Sequence, residues 1–446
     1  MLRSRMTQTL SAAGATLAIA LAGGGRASAA TPFPPRAIQH IVFVIQENRS
    51  VDNLFNGFPG ADTVRVGRRH DGSPVTLHEV DLDNPTDVDH ARDSFLNAYD
   101  HGRADGFDLN GTEPETKNGD FPYAYVPPAE VDTYWTLARH YTFADRTFES
   151  VGGPSFAAHQ YLLAGQSLRV VSNPSLLEGS AFYWGCDSPP GTRVTEAGAH
   201  GQADGPKIFP CFSYHTLADS LDAAGRSWRD YGPRPSDVGV VWTGFDAIRQ
   251  IRFGSDWQTD IIAPETRFLS DVRAGALADV TWVTPDFASS DHAQIGLKQH
   301  RVARGQRDLG PQWVANVVNA VGRSRFWGTT AIVVIWDDWG GWYDHVPPPQ
   351  LDELGLGFRV PMIVIGPYAK RGYVSHVQHE FGSLLKFAEE VFALPSLGTT
   401  DVRADDLADC FDFRQRPRPL VQVATKLSLE DFLNLQPSSV APDDDD

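Results

Sequence analysis

Four short apolar runs stand out along the chain because polar residues hardly interrupt them. They are IVFVI (41–45), VTWVTP (280–285), AIVVIW (331–336) and PMIVIG (361–366). Runs of this length without polar alternation are typical of strands that are covered on both faces. Three amphipathic helical patterns lie between and after these runs, at 216–225, 311–324 and 381–394. Strands that alternate with helices predict an α/β fold, in which helices flank a largely parallel central sheet.

Two long stretches, 60–130 and 165–215, interrupt this pattern and are rich in Gly, Pro and Asp. We predict that they are long loops inserted into the core, and loops of that length are usually functional. We find no internal repeat, so residues 31–435 are expected to form one domain. The acidic segment 436–446 is expected to be a solvated, disordered tail.

The N-terminus has the pattern of an export signal. Arg3 and Arg5 precede a short run of small and apolar residues, which ends before Ala27-Ser28-Ala29, a sequence typical of cleavage sites. We therefore predict a signal peptide at 1–30 and a secreted or periplasmic protein. No later apolar run has the length that a membrane span needs, so no stable membrane anchor is expected.

Charge and cysteine content narrow the classes of partner. The net charge of -18 argues against nucleic acid, because phosphate backbones would be repelled. A phosphorylated small molecule stays compatible with this charge, since a bound metal can reverse the sign of a pocket. Of the three cysteines, Cys186 and Cys211 could pair and leave Cys410 single, or all three could be free and buried.

Acidic and amide side chains follow two of the predicted strands directly. Glu47 and Asn48 come after the first run, and Asp337 and Asp338 come after the third. In open α/β sheets, ligands gather at the carboxyl ends of strands. Adjacent carboxylates repel each other unless a cation or a proton holds them, although acids in a solvated turn would give the same pattern. Four oxygen ligands predict a divalent metal such as Mg²⁺, Ca²⁺ or Mn²⁺.

A serine stands at a predicted turn from loop to helix. In FESVGGPSFAAHQYLLAG (148–165), the Gly-Gly-Pro turn at 152–154 leads into Ser155, which opens a helical pattern. A serine at this point can be an ordinary N-cap. It can also be a nucleophile at the positive helix terminus, where phosphate oxygens bind, with a metal as its activator.

Three histidines lie close to these stretches. His292 follows Asp291 just beyond the second predicted strand, His345 follows the double aspartate, and His90 lies in the first long loop. A single histidine is often structural. The position of His292 at a strand end beside an acid makes it the strongest functional candidate of the three.

Taken together, these stretches resemble a bacterial phosphoesterase family that contains phospholipases C and an acid phosphatase, within the alkaline-phosphatase-like superfamily. The resemblance covers nearly all of residues 38–415 and keeps the order of the family's motifs. The motifs that carry it are HIVFVIQENRSVDNLFNGFPG, HGRADGF, DRTFESVGGPSFAAHQYLLAG, SSDH, WDDWGGWYDHVPPP and FRVPMIVIGPYAKRGYVSHVQHEFGSLLKFAEE. The resemblance implies an alkaline-phosphatase-like catalytic domain.

The resemblance also implies a role for each site residue. Its implied metal ligands are Glu47, Asn48, Asp337 and Asp338, and Ser155 falls at the position of the family's hydroxyl nucleophile.

The histidines match three further positions of the family. His292, oriented by Asp291, would act on the leaving group or on the phosphoryl oxygens. His90 would belong to the substrate pocket, and His345 would have a supporting role.

The sequence departs from the phospholipases at the nucleophile. They commonly read GPTxPNR, whereas this chain has GPSFAAH at 153–159, and its Asp337-Asp338 pair is similar to the acid phosphatase pattern. We therefore expect an exported, metal-dependent, acid-phosphatase-like enzyme that hydrolyses phosphate esters through a seryl-phosphoryl intermediate. The alternative substrate is a phospholipid headgroup, cleaved by a phospholipase C of the phosphatidylcholine type.

Two further alternatives fit the sequence less well. A sulfatase-like activity is weaker because GPSFAAH lacks the arginine of the sulfatase motif. A non-catalytic, metal-stabilised binding protein would not need the intact set of nucleophile, metal ligands and histidine.

Overall fold

An eight-stranded sheet lies at the centre of the computed structural model, which describes residues 32–113, 115–116, 119–175, 183–293 and 308–438. Its strands are β1 (His40–Gln46), β2 (Thr142–Ala144), β3 (Trp228–Tyr231), β4 (Ile261–Ile262), β5 (Val280–Val283), β6 (Thr330–Trp336), β7 (Met362–Ile365) and β8 (Tyr373–Ser375). They lie side by side in the order β4-β3-β5-β1-β6-β7-β2-β8. Strand β7 is antiparallel to both of its neighbours, and every other pair in this sheet is parallel.

The four apolar runs form β1, β5, β6 and β7, which confirms the predicted strands and the α/β class with a largely parallel sheet. Strands β5, β1 and β6 are adjacent, and the apolar residues 41–45 of β1 are buried. The absence of polar residues in this run follows from its position, since helices and loops cover a central strand on both faces. The short strands β2, β3, β4 and β8 were not predicted, because two to four residues carry too little pattern.

Helices flank the sheet, as the sequence predicts. Their bounds are α1 (Val51–Leu54), α2 (Arg92–Tyr99), α3 (Asp132–His140), α4 (Ser155–Ala164), α5 (Leu217–Ala223), α6 (Arg249–Arg252), α7 (Asp256–Thr259), α8 (Arg267–Arg273), α9 (Leu309–Gly322), α10 (Phe381–Phe392) and α11 (Leu429–Leu433). The three amphipathic patterns form α5, α9 and α10, and the helical pattern that Ser155 opens forms α4. Helix α5 begins where the sequence indicates because Thr216 and Asp219 form a reciprocal capping box. Shorter 3₁₀ helices lie at Asp100–Gly102, Phe107–Leu109, Val238–Trp242, Gly244–Ala247, Phe287–Ser289, Trp327–Thr329, Thr400–Val402 and Ala408–Cys410.

The two stretches predicted as inserted loops contain small elements of their own. Two-stranded ribbons pair Val66–Arg68 with Pro74–Thr76, His78–Glu79 with Ala124–Tyr125, Asp87–Val88 with Thr112–Glu113, and Val194–Thr195 with Lys207–Ile208. A further ribbon pairs Thr147–Phe148 with His379–Glu380. The ribbon at Asp87–Val88 brings the first insertion toward the carboxyl ends of the parallel strands, as the contacts of the neighbouring His90 show below.

The cysteines adopt one of the two arrangements that the sequence left open. Cys186 and Cys211 form a disulfide, and Cys410 is free and buried. The bond closes part of the second insertion, which stabilises the folded chain mainly by restricting the unfolded one.

Only part of what was predicted for the two ends of the chain can be compared with the structure. The predicted signal peptide at 1–30 and residues 439–446 of the predicted tail lie outside the described residues. Ser438 lies within the segment predicted as a solvated tail, but it is 2% exposed and forms hydrogen bonds with Asp237 and Val238. Its N–H donates to Asp237 Oδ2 at 2.7 Å, and its carbonyl accepts from the N–H of Val238 at 2.8 Å. Within the described ranges, no helix is both long enough and apolar enough to cross a membrane.

Candidate metal centre and nucleophile

The two pairs of predicted metal ligands lie next to each other. Gln46 at the end of β1 is in register with Trp336 at the end of the neighbouring parallel strand β6, so the residues that follow emerge together. The N–H of Asn48 donates to Asp337 Oδ1 at 3.0 Å, and the N–H of Asp337 donates to the carbonyl of Gln46 at 2.9 Å. The structure therefore brings Glu47, Asn48, Asp337 and Asp338 together, as the strand ends predict.

Two left-handed residues shape this edge. Asn48 has φ of 60° and Gly340 has φ of 59°. A Cβ on Gly340 would lie 2.2 Å from the carbonyl oxygen of Asn48, so a side chain is excluded there. Asparagine tolerates the left-handed region better than most residues, and glycine has no penalty in it. This close approach holds the Asn48 peptide against the loop that follows β6.

The centre gathers carboxylates without a matching positive charge. The side chains of Glu47, Asp337, Asp338 and Glu149 are fully buried. Within the described part of the chain, no lysine or arginine forms an ion pair with any of them, and the basic groups within 4 Å of Glu47, Asp337 and Asp338 are the imidazoles of His90 and His159. Two charges 4 Å apart repel by about 4 kcal/mol at an effective dielectric constant of about 20.

This crowding appears in the pKa values. Burial, followed by the charge of Asp337, raises the pKa of Glu47 well above its ordinary value. The same two causes raise the pKa of Asp338. Burial, followed by the charge of Asp338, raises the pKa of Glu149. A divalent cation would remove this cost, since an ion of that charge reverses the local electrostatics.

Several oxygens of the centre have no hydrogen-bond partner although they are buried. They are Glu47 Oε2, Asn48 Oδ1, Asp337 Oδ2 and Glu149 Oε2. Buried polar atoms are nearly always satisfied in folded proteins, and unsatisfied ones call for an ion or water. The oxygens and the charge thus fit a divalent metal ion, whose identity they leave open.

The predicted nucleophile points into this centre. Ser155 is the first residue of α4, and Pro154 occupies the N-cap position. The Ser155 hydroxyl donates to Asp338 Oδ2 at 3.0 Å, so it does not cap the helix backbone. The serine is therefore held between the positive end of a fully buried helix and a carboxylate of the candidate metal centre.

Glu149 is a member of the centre that the sequence analysis missed. It follows the ribbon strand Thr147–Phe148 directly, and its Oε1 accepts from the N–H of Gly153 at 3.1 Å. This contact fixes the turn that leads into Ser155. The sequence pattern that could have identified Glu149 is an acidic residue directly after a strand, just before the Gly-Gly-Pro turn. An acid directly after a strand also identified Glu47 and the Asp337-Asp338 pair.

His159 was missed as well. It lies four residues after Ser155, on the same face of α4. Its Nε2 lies 3.2 Å from Glu47 Oε1 and 3.6 Å from Asp337 Oδ2. Burial lowers the pKa of His159, against the opposing charge of Asp337, which favours the neutral imidazole.

His90 reaches the centre from the first insertion. Its Nδ1 contacts the carbonyl of Val88 at 2.8 Å, which assigns the proton to Nδ1. Its Nε2 lies 3.1 Å from Asn48 Nδ2 and 3.8 Å from Asp338 Oδ2. This histidine therefore orients the Asn48 amide, and its predicted place in a substrate pocket stays a prediction.

His292 lies beside the centre, but Asp291 does not orient it. The N–H of Glu47 donates to the carbonyl of Ser290 at 2.8 Å, and the Ser290 hydroxyl accepts from the N–H of His292 at 3.2 Å. The acid that faces His292 Nε2 is Asp87, whose Oδ2 lies at 3.6 Å.

The carboxylate of Asp291 points back toward the sheet instead. Asp291 has φ of 74°, and its Oδ2 accepts from the Tyr134 hydroxyl at 2.7 Å and from Trp336 Nε1 at 3.1 Å. The left-handed turn thus reverses the direction of the side chain, and the predicted contact between Asp291 and His292 is not formed. Burial raises the pKa of Asp291 to about 6, although the charge of Arg49 lowers it.

His345 belongs to a separate ion-pair network. Its imidazole contacts Asp52 and Asp62, and the neighbouring Asp344 accepts from Arg359 Nε at 2.9 Å. Burial lowers the pKa of His345, but the hydrogen bond with Asp52 and the charges of Asp52 and Asp344 together outweigh burial and raise it. Asp52, Asp344 and His345 are close enough to hold an ion, yet the buried Arg359 guanidinium already supplies positive charge there. The supporting role expected for His345 stays a prediction.

Comparison with known proteins places this chain in a family. Residues 38–395 match the Phosphoesterase family. The chain is 26% identical to the hemolytic phospholipase C of Pseudomonas aeruginosa, over 84% of this chain and 56% of that protein, so it spans little more than half of that relative's length. It is also 26% identical to phospholipase C A of Mycobacterium tuberculosis, over 85% of this chain and 78% of that protein.

Among solved structures, the chain is similar to a protein in the alkaline phosphatase superfamily from Vibrio parahaemolyticus. The TM-score is 0.39 at 9% identity, over 88% of this chain and 72% of that one, which is a remote likeness. The sequence family carries the assignment, since its match covers most of the chain. The protein belongs to the Phosphoesterase family, and with it to the hydrolases that act on phosphoric ester bonds.

Proposed function

We propose that this chain is an exported, metal-dependent, acid-phosphatase-like phosphoesterase in which Ser155 is the nucleophile. The observation that carries the proposal is the hydrogen bond of 3.0 Å from the Ser155 hydroxyl to Asp338 Oδ2, inside a buried cluster of carboxylates. A serine placed this way has a proton acceptor in contact and a helix N-terminus behind it. A divalent ion held by Glu47, Asn48, Asp337 and Asp338 would lower the pKa of the serine hydroxyl and neutralise charge on the phosphoryl group.

The chemistry has two balanced steps. In the first, Ser155 Oγ forms a bond to phosphorus, its proton passes toward Asp338, and the bond from phosphorus to the leaving oxygen breaks. His292 supplies the proton that the leaving oxygen takes up. In the second step, water attacks phosphorus and gives a proton to His292, the bond to Oγ breaks, and Ser155 regains its proton from Asp338. The products are the alcohol and either phosphate or a phosphomonoester.

The substrate class rests on the residues around the nucleophile. The GPSFAAH segment lacks the asparagine and arginine that the phospholipases carry after their threonine. This departure and the Asp337-Asp338 pair favour a phosphate monoester. Phospholipase C activity on a phosphatidylcholine-type diester is the second candidate, and the names of the relatives favour it.

The proposal is tested with purified protein that has been stripped by a chelator and resupplied with single divalent metals. Turnover of p-nitrophenyl phosphate, p-nitrophenylphosphorylcholine and phosphatidylcholine vesicles is compared between the wild type and Ser155→Ala. Ser270→Ala is the matched control, because the Ser270 hydroxyl is exposed and bonds within its own helix. We expect metal-dependent turnover that falls by at least about 10³-fold in Ser155→Ala and is unchanged in Ser270→Ala.

The seryl intermediate has a direct test. Rapid acid quenching during turnover of p-nitrophenyl phosphate should leave one phosphoryl group on the peptide that contains Ser155, detected by mass spectrometry. Full turnover by Ser155→Ala would contradict the nucleophile assignment. Metal binding without turnover of any of the three substrates would contradict the proposed activity and favour a binding role.

A further inference from the structure

The imidazole of His159 lies among the oxygens of the candidate metal centre. Its Nε2 is 3.2 Å from Glu47 Oε1 and 3.6 Å from Asp337 Oδ2, and the residue is 4% exposed. One ligand atom from each of these three residues lies within 4.8 Å of the other two. A nitrogen at this position can therefore share an ion with the two carboxylates.

Three neighbouring oxygens are available to bind the same metal ion. Glu47 Oε2, Asp337 Oδ2 and Asn48 Oδ1 are buried and have no hydrogen-bond partner. If His159 only donated a hydrogen bond to Glu47, three buried oxygens around it would still be unsatisfied. A shared cation satisfies all of them and also offsets the charge.

The helix holds His159 in place. All ten residues of α4 are buried, and His159 lies one turn after Ser155 on the same face. Gly244 packs against it, since a Cβ added there would lie 3.4 Å from the His159 Cβ. Packing on this side restricts the position of the ring, so little freedom is lost when the nitrogen binds a metal.

The chemistry of the side chain at position 159 also favours metal binding. The phospholipase pattern GPTxPNR ends in arginine, where this chain has His159. A guanidinium stays charged and has no lone pair to offer, whereas a neutral imidazole is a good ligand. The imidazole of His159 can therefore serve as a metal ligand, which a guanidinium at this position could not.

We propose that His159 Nε2 is a direct ligand of the metal ion in this protein, beside Glu47, Asn48 and Asp337. The resulting nitrogen–oxygen site selects Zn²⁺, Fe²⁺ or Co²⁺ over Ca²⁺ and Mg²⁺, because imidazole suits the former and the latter take oxygen ligands. This inference rests on the metal site of the proposed function, and it changes the metal class that the oxygen ligands alone predict.

The test reads the metal itself, without turnover. Chelator-stripped wild type is loaded with Mn²⁺ and examined by pulsed electron paramagnetic resonance for nitrogen coupled to the metal, with and without ¹⁵N-labelled histidine. We expect a nitrogen coupling that changes with the isotope. The coupling should vanish in His159→Gln, which keeps a hydrogen-bond donor, and persist in His200→Gln, an exposed matched control.

Affinity gives a second readout. Competition titrations should show that His159→Gln weakens binding of Zn²⁺ by at least about 10-fold, whereas binding of Mg²⁺ changes far less. Because His90 also lies near the centre, His90→Gln is measured in parallel and should keep the nitrogen coupling. If His159→Gln does not fold, loss of the coupling in His90→Gln would still assign it to His90 and overturn the inference.

Each outcome has a distinct meaning. Metal bound to the wild type without nitrogen coupling would overturn the inference, and so would a coupling that survives in His159→Gln or is lost in His90→Gln alone. Nitrogen coupling in a protein that hydrolyses none of the phosphate esters would leave this inference standing and remove the proposed function. Failure of the wild type to bind any metal would overturn both.

Discussion

At the scale of single residues, the direction of a side chain decides its role more than its neighbours in sequence do. Asp291 and His292 are adjacent in the chain, yet the left-handed backbone at Asp291 directs the carboxylate to Tyr134 and Trp336. His292 faces Asp87 instead, from a ribbon about 200 positions earlier in the chain. Asp291 is therefore a buried structural acid that depends on its hydrogen-bond donors.

This gives a prediction for Tyr134→Phe. The change removes the donor at 2.7 Å from Asp291 Oδ2 and leaves a buried carboxylate with fewer partners. We expect a loss of about 1 to 3 kcal/mol in the free energy of unfolding, measured in urea. Tyr125→Phe is the control, because it deletes a similar hydroxyl-to-carboxylate contact with Glu79 in an exposed position, and it should cost less than about 0.5 kcal/mol. Equal losses in both variants would contradict the role of Asp291.

At the scale of elements, parallel strands explain why residues nearly 300 positions apart form one centre. The carboxyl ends of β1 and β6 are adjacent, and the turn after β6 folds back onto Asn48. Gly340 makes that approach possible, because any side chain there would meet the Asn48 backbone. The geometry of the ligands thus depends on a residue that carries no functional group.

We predict that Gly340→Ala disturbs the metal centre. Its Cβ would lie 2.2 Å from a backbone oxygen, which no side-chain rotation can relieve, in addition to the strain of the left-handed backbone. Gly72→Ala separates the two effects, since Gly72 has φ of 80° with no atom within 4 Å of its added Cβ. The control should cost about 1 to 2 kcal/mol in unfolding free energy. Gly340→Ala should cost more than that and also weaken metal binding in titration calorimetry, and equal effects would contradict the argument.

At the scale of the whole molecule, the protein buries several carboxyl groups outside the metal centre. Burial, followed by the charge of Asp187, raises the pKa of Asp246 to about 8. Burial also raises the pKa of Asp230 to about 7. Such groups favour the protonated form in the folded state, so the unfolded chain loses its protons at lower pH than the folded chain does. The contribution of these groups to the free energy of unfolding is fully present below about pH 4. It is lost as the pH rises through their pKa values in the folded protein.

The corresponding prediction concerns Asp246→Asn. Between pH 5 and 9, the free energy of unfolding of the wild type should fall. The free energy of unfolding of Asp246→Asn should fall by less, and the two decreases should differ by an amount on the order of 2 kcal/mol or more. Urea unfolding at a series of pH values measures the difference. Asp93→Asn, the same change at an exposed aspartate, should follow the wild type. A variant with the same pH dependence as the wild type would show that Asp246 is ionised in the folded protein at neutral pH.

The sequence by itself determined the core strands, the α/β class and the residues at the strand ends. Continuous apolar runs predict central strands because only buried strands tolerate them, and parallel strands put their following residues at one edge. Glu47, Asn48, Asp337 and Asp338 were predicted in this way, and Ser155 was predicted from the turn that opens a helix. The disulfide was left open, since spacing does not fix which thiols meet.

Only the tertiary structure decided which further groups share the site. Glu149, His159 and Asp87 reach it through a turn, a helix face and an inserted ribbon, and the left-handed backbone at Asp291 removes a partner that adjacency had indicated. The physical reason is that hydrophobic periodicity records burial along one element. Contacts between distant side chains depend instead on backbone angles, packing and charge, which become fixed when the elements come together.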